Sequence, residues 1–242
     1  MKKRLILNYF INSTFLILFC MSLSAQNETV KSNNADSLKI ERKYGLRIGG
    51  DIGKLIRTAI DDEYTGFEIA ADYRLKKNIY LAGEIGFDEK DNVTDYLNVT
   101  TSGSYFKAGI DYNSYQNWLD MDNMIYFGFR VGASSFNHTL NSFKTYNTSQ
   151  YWGDQFASNT SEKFEGLTAI WGEIILGLKA ELFNNLYMGL NVQLKFLANE
   201  NQPDNFQNIY IPGFHKTFDS SRIGVGYGYT IAYRIPLYKS HR

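Results

Sequence analysis

Cysteine is all but absent: the 242 residues contain one, Cys20, inside an apolar leader. Whatever folds after that leader has no disulfide framework and no thiolate metal site. A bacterial lipoprotein uses such a cysteine as its lipid anchor, but Phe19 stands where that signal needs a small residue, so lipidation is excluded. Histidine is nearly as scarce, with three residues, and leaves few general bases. Proline also numbers three, against 18 Tyr and 17 Phe, a balance that suits strands. Neither charge dominates, with 25 basic and 25 acidic residues, so there is no basic field for nucleic acid. The mean hydropathy of −0.32 excludes several helical membrane spans, yet permits a transmembrane barrel, half of whose strand residues are polar.

What is present begins with Met1-Lys2-Lys3-Arg4, a mostly apolar stretch from Leu5 to Leu23, and Ser24-Ala25-Gln26. Basic residues, an apolar run and a small-residue site make residues 1–25 a secretory signal peptide cleaved after Ala25. A retained membrane helix is the weaker reading, because Asn8, Asn12, Ser13 and Thr14 interrupt the run. Loss of the three leading basic residues leaves a slight acidic excess. Residues 26–43 are polar without any period and form a flexible lead. Within them Asp36-Ser37-Leu38 resembles an O-glycosylation signal of some Gram-negative bacteria at Ser37, although an ordinary linker has the same composition.

Residues 44–242 make one all-β domain. Eight stretches alternate with a period of two. The last is the clearest: Ile223, Val225, Tyr227, Tyr229, Ile231, Tyr233, Ile235 and Leu237 share one face, and Gly224, Gly226, Gly228, Thr230, Ala232 and Arg234 the other. The remaining strands centre on 44–52, 67–75, 79–87, 105–112, 125–133, 170–181 and 186–196. Lys76-Lys77-Asn78 and Asn184-Asn185 are short turns, the second using the tolerance of Asn for positive φ. Asp88–Asn98, Asn137–Glu165 and Ala198–Ser221 are expected to be loops, and Thr58–Tyr64 simply to reverse the chain. No helical apolar face is expected. An even strand count with alternating short and long connections is the pattern of an up-and-down antiparallel transmembrane barrel.

Periodicity alone also fits the inverse, a soluble eight-stranded calyx with an apolar interior. Three features favour the membrane barrel. The polar faces are rich in glycine, which a solvent-facing strand has no reason to choose but a crowded lumen does. They also carry Arg47, Arg74, Lys107, Arg130, Lys179, Lys195 and Arg234 with Asp51, Glu68, Asp72, Glu84, Asp111, Glu173 and Glu181, a balance expected where buried charges need partners. The apolar faces hold no central charge, and a Lys or Arg facing lipid there costs about 2–4 kcal/mol.

The pattern resembles the eight-stranded outer-membrane barrels of Gram-negative bacteria. It is more closely similar to an uncharacterised barrel family of Bacteroidota-type bacteria. The closer likeness is carried by Tyr64-Thr65-Gly66-Phe67-Glu68, Tyr80-Leu81-Ala82-Gly83-Glu84-Ile85-Gly86, Gly103-Ser104-Tyr105-Phe106-Lys107, Gly109-Ile110-Asp111-Tyr112-Asn113 and Asn123-Met124-Ile125-Tyr126. It implies the fold and an outer-membrane location, and brings no catalytic motif.

The lumen charges are read as a salt-bridged plug, with a narrow pore as the alternative. An enzymatic reading comes from lipid A acyltransferases and deacylases, which use a His with Ser or Asp. His138 beside Ser134 and Ser135, and His215 near Asp219 and Ser220, are the candidates, and ordinary loop residues the simpler account. Tyr146, Tyr151, Trp152 and Phe156, with Phe143, are candidate loop anchors for a ligand or partner. The Asn-x-Ser/Thr triplets at Asn92, Asn98, Asn137, Asn147 and Asn159 are loop composition. No cofactor or metal is expected; the expected partners are outer-membrane lipid, lipopolysaccharide and the barrel insertion machinery, whose recognition strand Tyr229–Leu237 resembles.

Overall fold

The computed structural model describes residues 42–116, 122–144, 157–158, 161–203, 207–216 and 221–240. Along the chain lie β1 (Arg42–Asp51), α1 (Ile52–Ile60), β2 (Tyr64–Arg74), β3 (Ile79–Val93), β4 (Leu97–Gln116), β5 (Met124–Lys144) and β6 (Ala157–Ser158). They are followed by β7 (Glu162–Phe183), β8 (Leu186–Glu200), β9 (Tyr210–Ile211), β10 (His215–Lys216) and β11 (Ile223–Ser240). Eight long strands form an antiparallel ring in the order β1-β2-β3-β4-β5-β7-β8-β11. β11 then returns to β1 with Arg42 opposite Ser240, so the sheet closes on itself.

The alternation of the sequence decides which way each side chain points. On β5, Phe127, Phe129 and Val131 are 56%, 57% and 50% exposed, while the intervening Arg130 is 2% exposed. The same inversion of ordinary burial runs around the ring, with Ile85, Phe106, Ile174, Leu190 and Ile235 outside and charged residues within. The rim that carries the start of β1, the end of β11 and the 184–185 turn is here the lower rim. Asn185 adopts φ 69° in that turn, the conformation that suits Asn.

Three local expectations are corrected. The strands rise beyond the apolar belt, so Asp88–Asn98 is mostly β3 and β4, paired up to Val93 opposite Asn98. That third connection is therefore a three-residue turn at 94–96, not a long loop. Likewise β5 and β7 pair up to Leu140 opposite Glu162, inside the stretch expected to be irregular. Above the belt the outer face need not be apolar, so the period fades although the ladder continues. Finally, Ile52 does not extend the first strand: Asp51 caps a helix there, its Oδ1 accepting from Lys54 N at 3.2 Å. Ile52, Leu55, Ile56, Ala59 and Ile60 recur at helical spacing and make α1 amphipathic.

Inside the ring, Tyr80, Met124, Tyr126 and Ile175 pack near the lower rim. A larger apolar cluster, including Phe136, Leu167, Trp171, Leu197, Ile211 and Phe214, fills the upper mouth. Charged side chains occupy the space between.

Candidate functional site

Near the lower rim, Asp72 receives Arg47 Nε and Lys179 Nζ, both at 2.6 Å. The Arg47 guanidinium lies 4.7 Å from the Tyr80 ring centre and 5.1 Å from that of Tyr187. Arg74 meets Asp122 at 3.0 Å, and Arg234 joins Asp122 and Glu181. One level up, the buried Lys107 Nζ lies 2.8 Å from Glu84, 3.3 Å from Glu68 and 3.8 Å from Glu173. Arg130 reaches Asp111 at 2.8 Å and Glu84 at 3.5 Å, and Lys195 lies 3.7 Å from Glu173. These charges neutralise one another across strands that are far apart in sequence. Asp51 is the exception among the residues expected here. Among the described residues it has no ion pair, and its carboxylate accepts backbone N–H groups from Lys54 and, at 3.4 Å, from Tyr229.

Sequence reasoning missed Lys54, Asp88 and Asp122. Asp88 continues the inward parity of Glu84 and Gly86 on β3, a signal that ends only if the strand is assumed to stop at Phe87. Lys54 projects from α1 to Asp88 Oδ1 at 2.8 Å and the Tyr105 hydroxyl at 2.7 Å.

Residues 207–216, between β8 and β11, fold back into the mouth. Phe214 is buried edge-on against Trp171, with ring centres 6.1 Å apart. Gly213 donates its N–H to Asp88 Oδ2 at 2.9 Å, and its carbonyl accepts from Lys195 Nζ at 2.6 Å. Glycine is required there twice over: φ is +80°, and a Cβ would lie 2.6 Å from the Tyr105 ring. Burial, and after it the Lys195, Lys54 and Lys107 ammonium groups, hold the adjacent His215 imidazole well below the ordinary histidine range.

His138 meets a threonine and an asparagine rather than the serines expected beside it. His138 Nδ1 lies 2.7 Å from Thr101 Oγ1 and Nε2 3.0 Å from Asn208 Oδ1, while Ser134 donates to the Ser104 carbonyl. Asp219 and Ser220, expected near His215, lie outside the described residues, as do Tyr146, Tyr151, Trp152 and Phe156. Phe143 is exposed on upper β5.

The least regular part of the wall is where β1 stops early. β1 pairs with β2 only as far as Gly50 opposite Ile69, and with β11 only as far as Asp51 opposite Thr230. Above that level Tyr64–Glu68 of β2 and Ile223–Tyr229 of β11 have no strand between them, and α1 takes the place of one. Its hold on the two edges is unequal. Thr58 Oγ1 on α1 accepts from Gly66 N at 2.9 Å and donates to Gly66 O at 3.0 Å, which satisfies Gly66 on the β2 edge. Arg57 stacks 4.0 Å over the Tyr64 ring. Toward β11 the described contact is the Asp51–Tyr229 hydrogen bond, with Gly53 set against the Tyr229 side chain. A cleft of about 280 Å³ remains between α1 and β11, lined by Lys54, Arg57, Tyr64, His215, Val225 and Tyr227 among others. It adjoins an outer groove of about 1110 Å³ whose lining includes Ile56, Ile60, Leu176, Leu190, Val192 and Tyr227.

Among solved structures the chain is similar to Ail, the attachment invasion locus protein of Yersinia pestis, with 11% identity and a TM-score of 0.41 over 80% of this chain and 97% of that one. It is also similar to Neisserial surface protein A, with 9% identity and a TM-score of 0.39 over 82% and 97%. No curated protein matches. Residues 6–240 match the model of a domain of unknown function, DUF6048, and the chain belongs to that family.

Proposed function

We propose that this protein is a closed outer-membrane barrel that serves as a binding scaffold, exported through a signal peptide cleaved after Ala25. The observation that carries the reading is the pairing of an apolar, exposed outer wall with a lumen crossed by ion pairs at successive levels. Only lipid makes such an outer face favourable, and only mutual pairing makes such an interior tolerable. The lumen is non-conducting, because Lys107, Arg130 and Arg47 with their carboxylates fill its section and the Phe214 loop fills its mouth. Lipid and lipopolysaccharide surround the wall, the barrel insertion machinery assembles it, and the upper loops meet the ligand or partner. The scaffold reading is preferred to lipid A chemistry because His138 and its hydroxyl partner Thr101 are both fully buried, away from any lipid substrate.

Fractionation with gel mobility before and after boiling tests the membrane reading. The protein is expected in the outer-membrane fraction with a heat-dependent shift. Recovery in the soluble periplasm would refute it, and stable unit conductance in a planar bilayer would refute the closed lumen.

A further inference from the structure

The window between α1 and β11 places two cavities side by side, the smaller of them bordered by charged side chains. They share Gly53, Arg57, Val192 and Tyr227 as a common rim, so the outer groove opens directly onto the inner cleft. The groove is walled mainly by apolar side chains of α1, β5, β7, β8 and β11, with Asp61 and Asn191 also in its lining, and its volume lies just above the about 300–1,000 Å³ usual for small-ligand sites. The cleft is much smaller, and Lys54, Arg57, His215 and Asp51 join apolar side chains in its lining.

Two kinds of unsatisfied donor face this rim. Residues of a strand alternate in the direction of their backbone groups. Tyr229 N points to the α1 side, where it meets Asp51, so Val225 and Tyr227 point the same way. Among the described residues their N–H and C=O groups on that side have no partner, because the β1 ladder begins only at Thr230. Open sheet edges are not tolerated in hydrocarbon, where each unpaired group costs several kcal/mol. Arg57 is the second donor. Its Nε bonds Asp61 at 3.2 Å, and its two Nη groups have no hydrogen-bonding partner among the described residues. A hydrocarbon chain alone satisfies none of these groups. An amphiphile whose head carries two acceptor oxygens satisfies the N–H and guanidinium donors, though not the carbonyls, while its tail covers the groove.

We propose that this window binds a single-chain anionic amphiphile of the fatty-acid type. The acyl chain lies in the outer groove along Ile56, Leu190 and Val192. The carboxylate sits in the cleft, accepting from Arg57 Nη and from the free N–H of Tyr227. One guanidinium and one free N–H match the single charge and two oxygens of a carboxylate. This site depends on the membrane reading above, and supplies that scaffold with a ligand class.

The test is native mass spectrometry of the full-length protein in non-ionic detergent, incubated with palmitate, hexadecanol or lysophosphatidylglycerol. A saturable one-to-one palmitate adduct is expected, with hexadecanol and Arg57→Gln each weakening binding by about tenfold, the loss of a charge-assisted contact. Val192→Trp fills the groove and is expected to abolish the adduct. Heat-shifted mobility confirms that each variant is folded. A folded protein that takes no palmitate, binds hexadecanol equally, prefers lysophosphatidylglycerol, or is unaffected by both substitutions overturns the site. Because that protein would still shift on heating, such a result leaves the barrel reading intact, whereas absence of the shift refutes the barrel itself.

Discussion

The lower half of this barrel and its upper wall at α1 solve the same problem by different means. Below Asp51, β1 lies between β2 and β11 and every strand has two neighbours, so the backbone is satisfied by ladders alone. Above Asp51 a helix stands in for the strand, and its own hydrogen bonds are internal. It can satisfy an edge only through side chains. Thr58 does this for Gly66 on β2, and Asp51 for Tyr229 on β11, but nothing described does so for Val225 and Tyr227. The lesson is that exchanging a strand for a helix in a closed wall leaves an opening on whichever side lacks a suitable side chain. The lumen differs correspondingly: ion pairs between strands below, and a helix-borne lysine with a docked loop above.

Three substitutions sharpen this contrast. The largest effect is expected from Lys107→Met, which strands Glu68, Glu84 and Glu173 without their shared ammonium. Breaking a buried network on one side costs about 3–5 kcal/mol. A fall of that size in urea resistance, read from the heat-shifted band, is the expected result, and an unchanged midpoint would place the lumen stability elsewhere. Gly213→Ala comes next, at about 1–3 kcal/mol, since it adds left-handed strain and a collision with Tyr105. It is expected to undock residues 207–216, which protease nicking of intact membranes detects, with the heat shift retained. The smallest effect is that of Thr58→Val, which removes two hydrogen bonds to Gly66 at about 1 kcal/mol each. Hydrogen exchange at the Gly66 amide is expected to accelerate while amides of β7 and β8 stay protected.

The fold was legible where lipid-facing residues force an apolar period, and least legible where that force ends. Ile223 to Leu237 alternates without a break because every second side chain lies on the outer wall. Asp88, by contrast, keeps the inward parity of β3 but sits beside Glu89 and Lys90, whose polarity resembles a loop. Helix α1 hid behind β1: Gly50 and Ile52 continue the strand period, while the competing helical spacing from Ile52 to Ile60 spans just over two turns. Inward residues such as Lys107 and Arg130 were readable from their position on strands. Their partners were not, because those arise from register between distant segments. The Gly213–Phe214 contacts with Asp88, Lys195 and Trp171 likewise join segments with no local relation, and no pattern near residue 213 announces them.

The account stands on which face of the wall meets lipid. The most direct measurement is a nitroxide scan along β11 in vesicles, recording relaxation by oxygen and by a water-soluble nickel complex. Labels at Val225, Tyr227, Ile231, Tyr233 and Ile235 are predicted to be accessible to oxygen and shielded from nickel, and labels at Gly224, Gly228 and Arg234 to be shielded from oxygen. Nickel access at the odd positions, with oxygen access at the even ones, would contradict the lipid-facing wall.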